Sequence, residues 1–471
     1  MNIKHFETKF SQIADKPSLR IDVNYRQFID IMNCKVWHNS NTTLSSFLFK
    51  VESEKRKKGM LEESEILVDM SNVERRFNNL INLSPTYEIG SDKNVLGHGH
   101  IVVPKIQPRM GNIFLNSSRE EYLGSSEFVE YLCDTRKIEP KFLFYVLCHP
   151  SFLRTLYLCE SGKTHRRVNP DELLSYKTPY IDIEKQREAL RVIEKLEGKI
   201  AEFKNQIIPA TDIIDEIFEQ EFCLKKATIQ NNYRPRINLT LRDLSSSYDL
   251  RSAFRYNSYK YSFLELPLFK EHLFSEVIDK DGTSLGRQMS PDEILDSSDV
   301  YYINTNSIKL DGFDENVLTP ISEAFYNSNK QLKVEKNDIL LISSGEGSIG
   351  RATLFDSDKD CITSQFVMKL KSKEGVNIMY ILYYMHSFYF QFTVEKYKKG
   401  KGNMTNIFVA QVLNFPILLP DEKKQDEIVE LITSKLQEQH KYDSQIMSLR
   451  EDIDKVIESY LGITNEEAKC T

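Results

Sequence analysis

A chain that repeats itself once, over a period far longer than the roughly 20 to 50 residues of a solenoid unit, has to fold as two related halves. This sequence of 471 residues does so at an offset of 239. Ile181 to Gln186 answers to Leu419 to Gln425, which sets Gln186 over Gln425; Asn205, Gln206 and Ile207 fall on Ser444, Gln445 and Ile446, and Asp215 falls on Asp454. Upstream, Ile101 to Gly111 lies on Leu340 to Gly350. With a slip of one residue Ser126 to Val129 pairs with Ser364 to Val367, and near the start of each half Leu19, Arg20 and Tyr25 resemble Leu250, Arg251 and Tyr256. The length, about three times that of a typical domain, agrees with more than one core.

Each half ends in a long amphipathic segment. Ile428, Ile432, Lys435, Gln439, Tyr442, Ile446, Leu449, Ile453, Val456 and Tyr460 follow alternating steps of four and three, a heptad seam. Subtracting 239 gives Ala189, Ile193, Leu196, Ile200, Phe203, Ile207, Ala210, Ile214, Ile217 and Glu221, apolar at all but the last. The shared register suits the two helices to pack on each other. A helix of about 40 residues reaches roughly 60 Å, more than one domain core needs, so its natural role is a spacer. Pro209 removes a hydrogen bond inside the first seam, and that helix is expected in two pieces.

Ahead of each helix lies a mixed segment. Ile101 to Val103 and Ile339 to Ile342, bounded by Gly, Ser, Asn and Pro, read as strands; the aromatic stretches Phe142 to Leu147 and Tyr380 to Met385 read as short buried helices. The expected class is α+β, with domains at 1–180 and 226–420, a central helix at 181–225, and a C-terminal helix and tail at 421–471. The formal net charge of −7 is unevenly placed: residues 181–225 carry 11 acidic against 7 basic side chains and residues 421–461 carry 11 against 6, so −4 and −5 leave +2 for the rest. The basic clusters of that remainder are Lys55 to Lys58, Lys163 with His165, Arg166 and Arg167, and Lys396 with Lys398, Lys399 and Lys401. Each has the charge to meet phosphates, or to form an ordinary solvated surface. Seven scattered cysteines without a CxxC pair read as reduced thiols, and the absence of a long apolar run or signal-like start gives a cytoplasmic expectation.

Catalytic motifs fail in turn. Ser161 to Thr164 copies the tail of a P-loop, but Tyr157 stands where its first glycine belongs. Asn169 and Pro170 begin an amino-methyltransferase motif that Asp171 and Glu172 do not complete. Gly97 to Gly99 is a lone GxG, His98 and His100 have no third metal ligand near them in sequence, and Asp279, Asp281 and Gly282 open a calcium loop that Ser290 fails to close. Nothing in the sequence indicates chemistry.

Two α+β segments, each closed by a long helix behind a Pro-x-x-Glu-x-Gln-like turn, resemble the DNA-specificity subunit of type I restriction-modification enzymes. The residues that carry the likeness are Asn337 to Arg351 with Gly345, Gly347 and Gly350, then Ser364 and Gln365, the aromatic helix, Gly400 to Gly402, and Phe415 to Gln425. From 1 to 180 the likeness is weaker: Pro108, Arg109 and Met110 replace the Gly-Ser-Ile pattern, and Asp182 to Glu184 lacks the proline pair. The resemblance implies a chain without catalytic residues in which two target-recognition domains each read half of a split double-stranded DNA sequence. It implies that the two spacer helices, an antiparallel coiled coil, hold the halves apart and dock two methyltransferase subunits, and that a translocase-nuclease restriction subunit completes a phage-defence complex. S-adenosylmethionine, ATP and Mg are then expected on the partners, with no cofactor or metal on this chain.

Within such domains phosphate contacts position the protein and a few side chains read base edges. The candidates are Arg109, Lys163, His165, Arg166 and Arg167 in the first, and Ser344, Arg351, Gln365, Lys398, Lys399, Lys401 and Asn403 in the second. The glycines between Ser343 and Gly350 either let backbone approach DNA or serve only a tight hairpin. Three other readings remain: the specificity chain of a related enzyme with a fused methylase-nuclease, a coiled-coil scaffold without a DNA role, and a nucleotide-dependent enzyme using Ser161 to Thr164. The missing motifs set a first expected outcome: the pure chain shows no methyltransferase, nuclease or ATPase turnover. Robust turnover that Lys163→Ala abolishes would overturn the reading.

Overall fold

Ile101–Pro104 and Ile339–Ile342 are buried at every position, as strands covered on both faces must be. Each is an inner strand of a four-stranded sheet, one sheet in each of two units. The computed structural model describes residues 40, 42–161, 166–224, 266–345, 347–400 and 405–463. Residues Met1–Gln206 with Tyr442–Thr471 form one unit and Ile207–Lys441 the other. The similar triplets around Tyr25 and Tyr256 lie outside the described residues.

In the first unit, β1 (Leu48–Lys50), β2 (Ile101–Pro104), β3 (Phe114–Leu115) and β4 (Phe128–Cys133) lie in the order β1-β4-β2-β3, all antiparallel. A five-stranded sheet from segments between Lys55 and Gly124 adjoins them in sequence. Two helices follow, α1 (Pro140–Cys148) and α2 (Pro150–Cys159), each opened by a proline whose missing N–H costs nothing at a helix start. The long segment then begins with α3 (Ile183–Lys204), capped by the Asp182 carboxylate, which accepts from the Lys185 amide.

The second unit opens on α4 (Ala210–Glu221). Its sheet, β5 (Ile278–Leu285), β6 (Ile339–Ile342), β7 (Ala352–Leu354) and β8 (Val367–Ser372), has the order β5-β8-β6-β7, the topology of the first. The aromatic helices α5 (Ile378–His386) and α6 (Phe388–Tyr397) succeed it as α1 and α2 succeed the first sheet. A three-stranded sheet with one parallel pair replaces the five-stranded one, so the units share a frame and differ in what is inserted into it. The fold is α+β, as expected. Phe218 of α4 packs its ring 5.8 Å from Tyr380 and 5.7 Å from Tyr384, which joins helix to frame.

The last helix, α7 (Glu422–Leu461), runs for 40 residues, and the unit boundary falls inside it, between Lys441 and Tyr442. In the second unit Glu221 pairs with Lys424 at 2.5 Å and the Ile208 amide donates to Gln439 Oε1 at 2.9 Å, so α4 runs antiparallel to the first half of α7. In the first unit the Phe203 ring lies 6.0 Å from that of Tyr442. Pro209 ends the interruption between α3 and α4 and stands as the cap residue of α4, so the first seam is in two pieces. Of the seam residues, Ile193, Ile200, Ile214, Ile217, Ile428, Ile432, Ile446 and Ile453 are buried, while Leu196, Phe203, Ile207, Tyr442, Leu449 and Val456 are half-buried. Among the described residues no helix is long and apolar enough to cross a membrane.

One residue plays the same part in both units. The Gln186 amide, fully buried, accepts from the Glu139 amide ahead of α1 at 2.8 Å and donates to the carbonyls of Lys137 (3.0 Å) and Ile181 (2.8 Å). Gln425 accepts from the Asn377 amide ahead of α5 at 3.0 Å and donates to the Pro420 carbonyl at 2.9 Å. Each glutamine thus ties the first turn of a long helix to the first turn of a helical hairpin. Replacing Gln186 by Leu strands an amide and two carbonyls out of water, at about 1–3 kcal/mol for each lost partner. Gln186→Leu is therefore expected to lower stability by about 3 kcal/mol or more, read by chemical denaturation with a probe in the first unit.

Between α1 and α2 sits His149, whose exposure is 1%. Its Nδ1 faces the Ser151 hydroxyl at 2.7 Å and accepts from the Ser151 amide at 3.3 Å, capping α2. Burial pushes its pKa down to about 3, and the guanidinium groups of Arg450, Arg76 and Arg154 push the same way. Glu458 Oε1 lies 3.4 Å from Nε2. A folded pKa below the unfolded value of about 6.5 means that the native state binds fewer protons. The stability from neutral His149 is complete above pH 6.5 and declines as pH falls toward 3. His149→Asn keeps a capping acceptor and does not titrate. Between pH 6.5 and 5 the wild type is expected to lose about 2 kcal/mol more than this variant in urea titrations.

Candidate nucleic-acid interface

At one end of the second unit's sheet four chain segments are stitched together by backbone. Where β6 stops, the Ser343 amide donates to the Phe366 carbonyl (2.8 Å) and the Ser343 carbonyl accepts from Ile407 (2.9 Å). The Gly345 amide reaches the Thr405 carbonyl at 3.1 Å, and Lys399 and Asn406 exchange two bonds of 2.8 Å. Gly286 donates to Val367 and Arg287 to Thr363. A Cβ at Gly286 would stand 2.1 Å from the Thr363 carbonyl oxygen, so only glycine permits this crossing. Gly350, at φ +89°, presses on α6 where a Cβ would meet Gln391 and Val394, and Gly111 occupies the matching place in the first unit. At Gly350 and Gly111 a tight turn packed on a helix accounts for the glycine without DNA.

The rim formed by these segments carries Ser344, Arg351, Gln365 and Lys399, each half-buried. It also carries residues that sequence reasoning passed over. Phe366 and Phe408 are 44% and 49% exposed, and Arg287 donates to Asn329 at 3.3 Å. Phe366 follows Gln365 directly, and Arg287 follows a glycine; those neighbours were the available signals. Lys401 and Asn403 lie outside the described residues. Lys398 departs from the expected exposed phosphate contact. It is buried, with its ammonium 2.7 Å from Glu395 one helical turn back. Lys396 is buried too, 5.6 Å from the Tyr397 ring centre.

The equivalent end of the first unit is built differently. Lys105 donates to Glu127, Gln107 to Arg166 and Val168 to Lys105, which brings the segment after β2 against residues 166–168. Arg109 was expected to face phosphate, but its guanidinium lies 2.9 Å from Glu160, a carboxyl of zero side-chain exposure that needs a countercharge. Burial pushes the Glu160 pKa up, and Arg109 pulls it back. Arg167 forms a two-pronged bond to Glu127, with both distances 3.1 Å, which holds that carboxyl below its ordinary range. Arg166 is half-buried. Lys163 and His165 lie outside the described residues.

The incomplete catalytic and metal motifs have structural occupations. Asn169 caps a short helix by accepting from the Asp171 amide, and Asp279 accepts from the Asp281 and Gly282 amides at a break in the register of β5. His100 Nδ1 lies 2.7 Å from buried Glu130, which also takes the Gly97 amide at 2.6 Å. Among the described residues no group of three or more His, Cys, Asp or Glu side chains is placed to hold a metal.

Residues 275–445, from the start of β5 through the first half of α7, match the family described as the type I restriction modification DNA specificity domain. The match is confined to that segment, which is less than half of the chain. It contains the whole stitched rim. No curated protein sequence matches the chain. Among solved structures, the chain is similar to one reported for the assembly and conformational transition of the type I R-M system. The identity is 14% over 89% of this chain and 96% of that one, with a TM-score of 0.38. It is also similar to the HsdS subunit from Thermoanaerobacter tengcongensis (14% identity, 89% and 95% coverage, TM-score 0.32) and to the S subunit of a type I restriction-modification system from M. genitalium (13%, 90% and 96%, TM-score 0.37).

Proposed function

We propose that this chain is the DNA-reading subunit of a type I restriction-modification enzyme, acting in the cytoplasm and without catalytic residues of its own. The observation that supports this reading is the recurrence, at residues 48–159, of the sheet order and helical hairpin that the specificity domain uses at 278–397. On this reading each recognition domain, 1–180 and 226–420, takes one half of a bipartite double-stranded target. The helices at 181–225 and 421–471 set the distance between halves and present acidic faces to two methyltransferase subunits. Methylation, translocation and cleavage, with their S-adenosylmethionine, ATP and Mg, belong to those subunits and to the restriction subunits. In the second domain Ser344, Arg351, Gln365 and Lys399 are the contact candidates that line the rim, with Lys401 and Asn403 beside them in sequence. In the first, Arg166 is joined by Lys163 and His165. Arg109, Arg167 and Lys398 act through the carboxylates they neutralise.

The test is genome-wide methylation mapping in a host that expresses the chain with its methyltransferase partner. A split motif is expected. Seven residues added to each of the two paired helices keep the seam in phase and lengthen it by roughly 10 Å. At about 3.4 Å per base pair the gap then grows by up to about three base pairs, with both half-sites unchanged. An unchanged gap at full activity would mean that these helices are not the ruler, and an unsplit motif would overturn the bipartite reading.

A further inference from the structure

The same short turn leads into the same strand in both units, yet it handles its aromatic ring in opposite ways. Ser126 to Val129 opens β4, and Phe128, 1% exposed, packs edge-on against Phe114 with ring centres 6.0 Å apart. Ser364 to Val367 opens β8, and there Phe366 stands 44% exposed. The first unit buries this ring among Val102 and Phe114 of the frame and Val68 and Leu96 of its five-stranded sheet, whereas in the second unit, with a different inserted sheet, the ring stands exposed. The residue before it changes as well: Glu127 is bound to Arg167, whereas Gln365 carries a neutral amide.

The turn that presents Gln365 and Phe366 is fixed from several sides. The Ser364 amide donates to Ile303 (2.9 Å), the Val367 amide to Ser364 (2.9 Å), Ser343 to Phe366 (2.8 Å) and Arg287 to Thr363 (3.2 Å). Beneath it the Tyr302 hydroxyl donates to the Arg287 carbonyl at 2.6 Å. A preorganised turn is what a base-reading pair needs, because ordering it on binding would cost affinity. Arg351 and Lys399 supply cations on the same rim for phosphates.

We propose that Gln365 and Phe366 read one A·T base pair of the second half-site, Gln365 through the adenine N6 donor and N7 acceptor and Phe366 through the thymine methyl. An adenine edge offers in the major groove the acceptor and donor that a carboxamide complements, and the thymine methyl is the one apolar group there. The inference rests on the specificity-subunit reading and adds the base pair and the residues that take it.

The experiment uses the full chain in complex with its methyltransferase partner and duplexes of the mapped target. Single thymines of the second half-site are replaced by deoxyuridine, which lacks only the methyl, and binding is followed by fluorescence anisotropy. One position is expected where the replacement weakens wild-type binding about fourfold, the transfer value of one methyl group. At that position Phe366→Ala binds both duplexes equally and Phe366→Leu keeps part of the preference. Putting 7-deazaadenine opposite it weakens the wild type but not Gln365→Ala. If the wild type binds the mapped target specifically while Phe366→Ala keeps the wild-type profile of uracil sensitivity, or the second half-site has no thymine, the base-pair assignment falls and the specificity reading stands. Both fall if the wild type does not prefer the mapped target.

Discussion

One buried carboxamide in each unit fixes the junction on which its architecture is built. Gln186 and Gln425 bind the start of a long helix to the start of an aromatic hairpin that packs beside the sheet. An amide suits this junction because it satisfies donors and acceptors at once without bringing a charge into the core. With that junction set, the register of the long helix against its unit follows, because each heptad residue is placed relative to the first turn. The seam contacts at Phe203 with Tyr442 and at Ile208 with Gln439 lie downstream of the junctions and inherit their geometry.

The residues one repeat apart show how one frame supports different chemistry. Asp215 accepts from the Phe388 amide at 2.6 Å and so caps α6. Its counterpart Asp454 is instead held between Arg76 and Arg450, with Arg450 only 1% exposed and stacked 5.5 Å from the Tyr145 ring. Burial raises the Asp454 pKa, and the two guanidinium groups oppose that rise. A helix cap in one unit is a buried ion cluster in the other. Where the second unit places Ser387 ahead of α6, the first places His149 ahead of α2, and a proton-sensitive cap enters with it.

Much of this was legible in the sequence because it rests on periodicity and on local chemistry. The heptad steps, the break at Pro209, the apolar runs of the inner strands and the aromatic helices depend on residues near one another in the chain. The candidate interface was legible only in outline. Lys398 and Lys399 are adjacent and chemically alike, yet one is buried against Glu395 and the other stands at the rim; the chain leaves α6 at Lys398 and pairs Lys399 with Asn406, and composition cannot report that. Arg109 looked free because its partner, Glu160, is 51 residues away. Phe366 drew no reading, because nothing beside it in the chain marks its exposure. Side chains whose role is set by distant partners leave no local signature.

The division of α7 carries a consequence for biosynthesis. The first unit's core includes Ile446, Ile453 and Ile457, close to the end of the described chain, while its sheet is made from residues 48–133. A ribosome that emits residues in order therefore releases a first unit that lacks one wall until the second has been synthesised. The second unit, drawn from the continuous stretch Ile207–Lys441, has no such wait. The half made first is the half completed last. In the interval the apolar faces that Ile446, Ile453 and Ile457 will cover stand open to water.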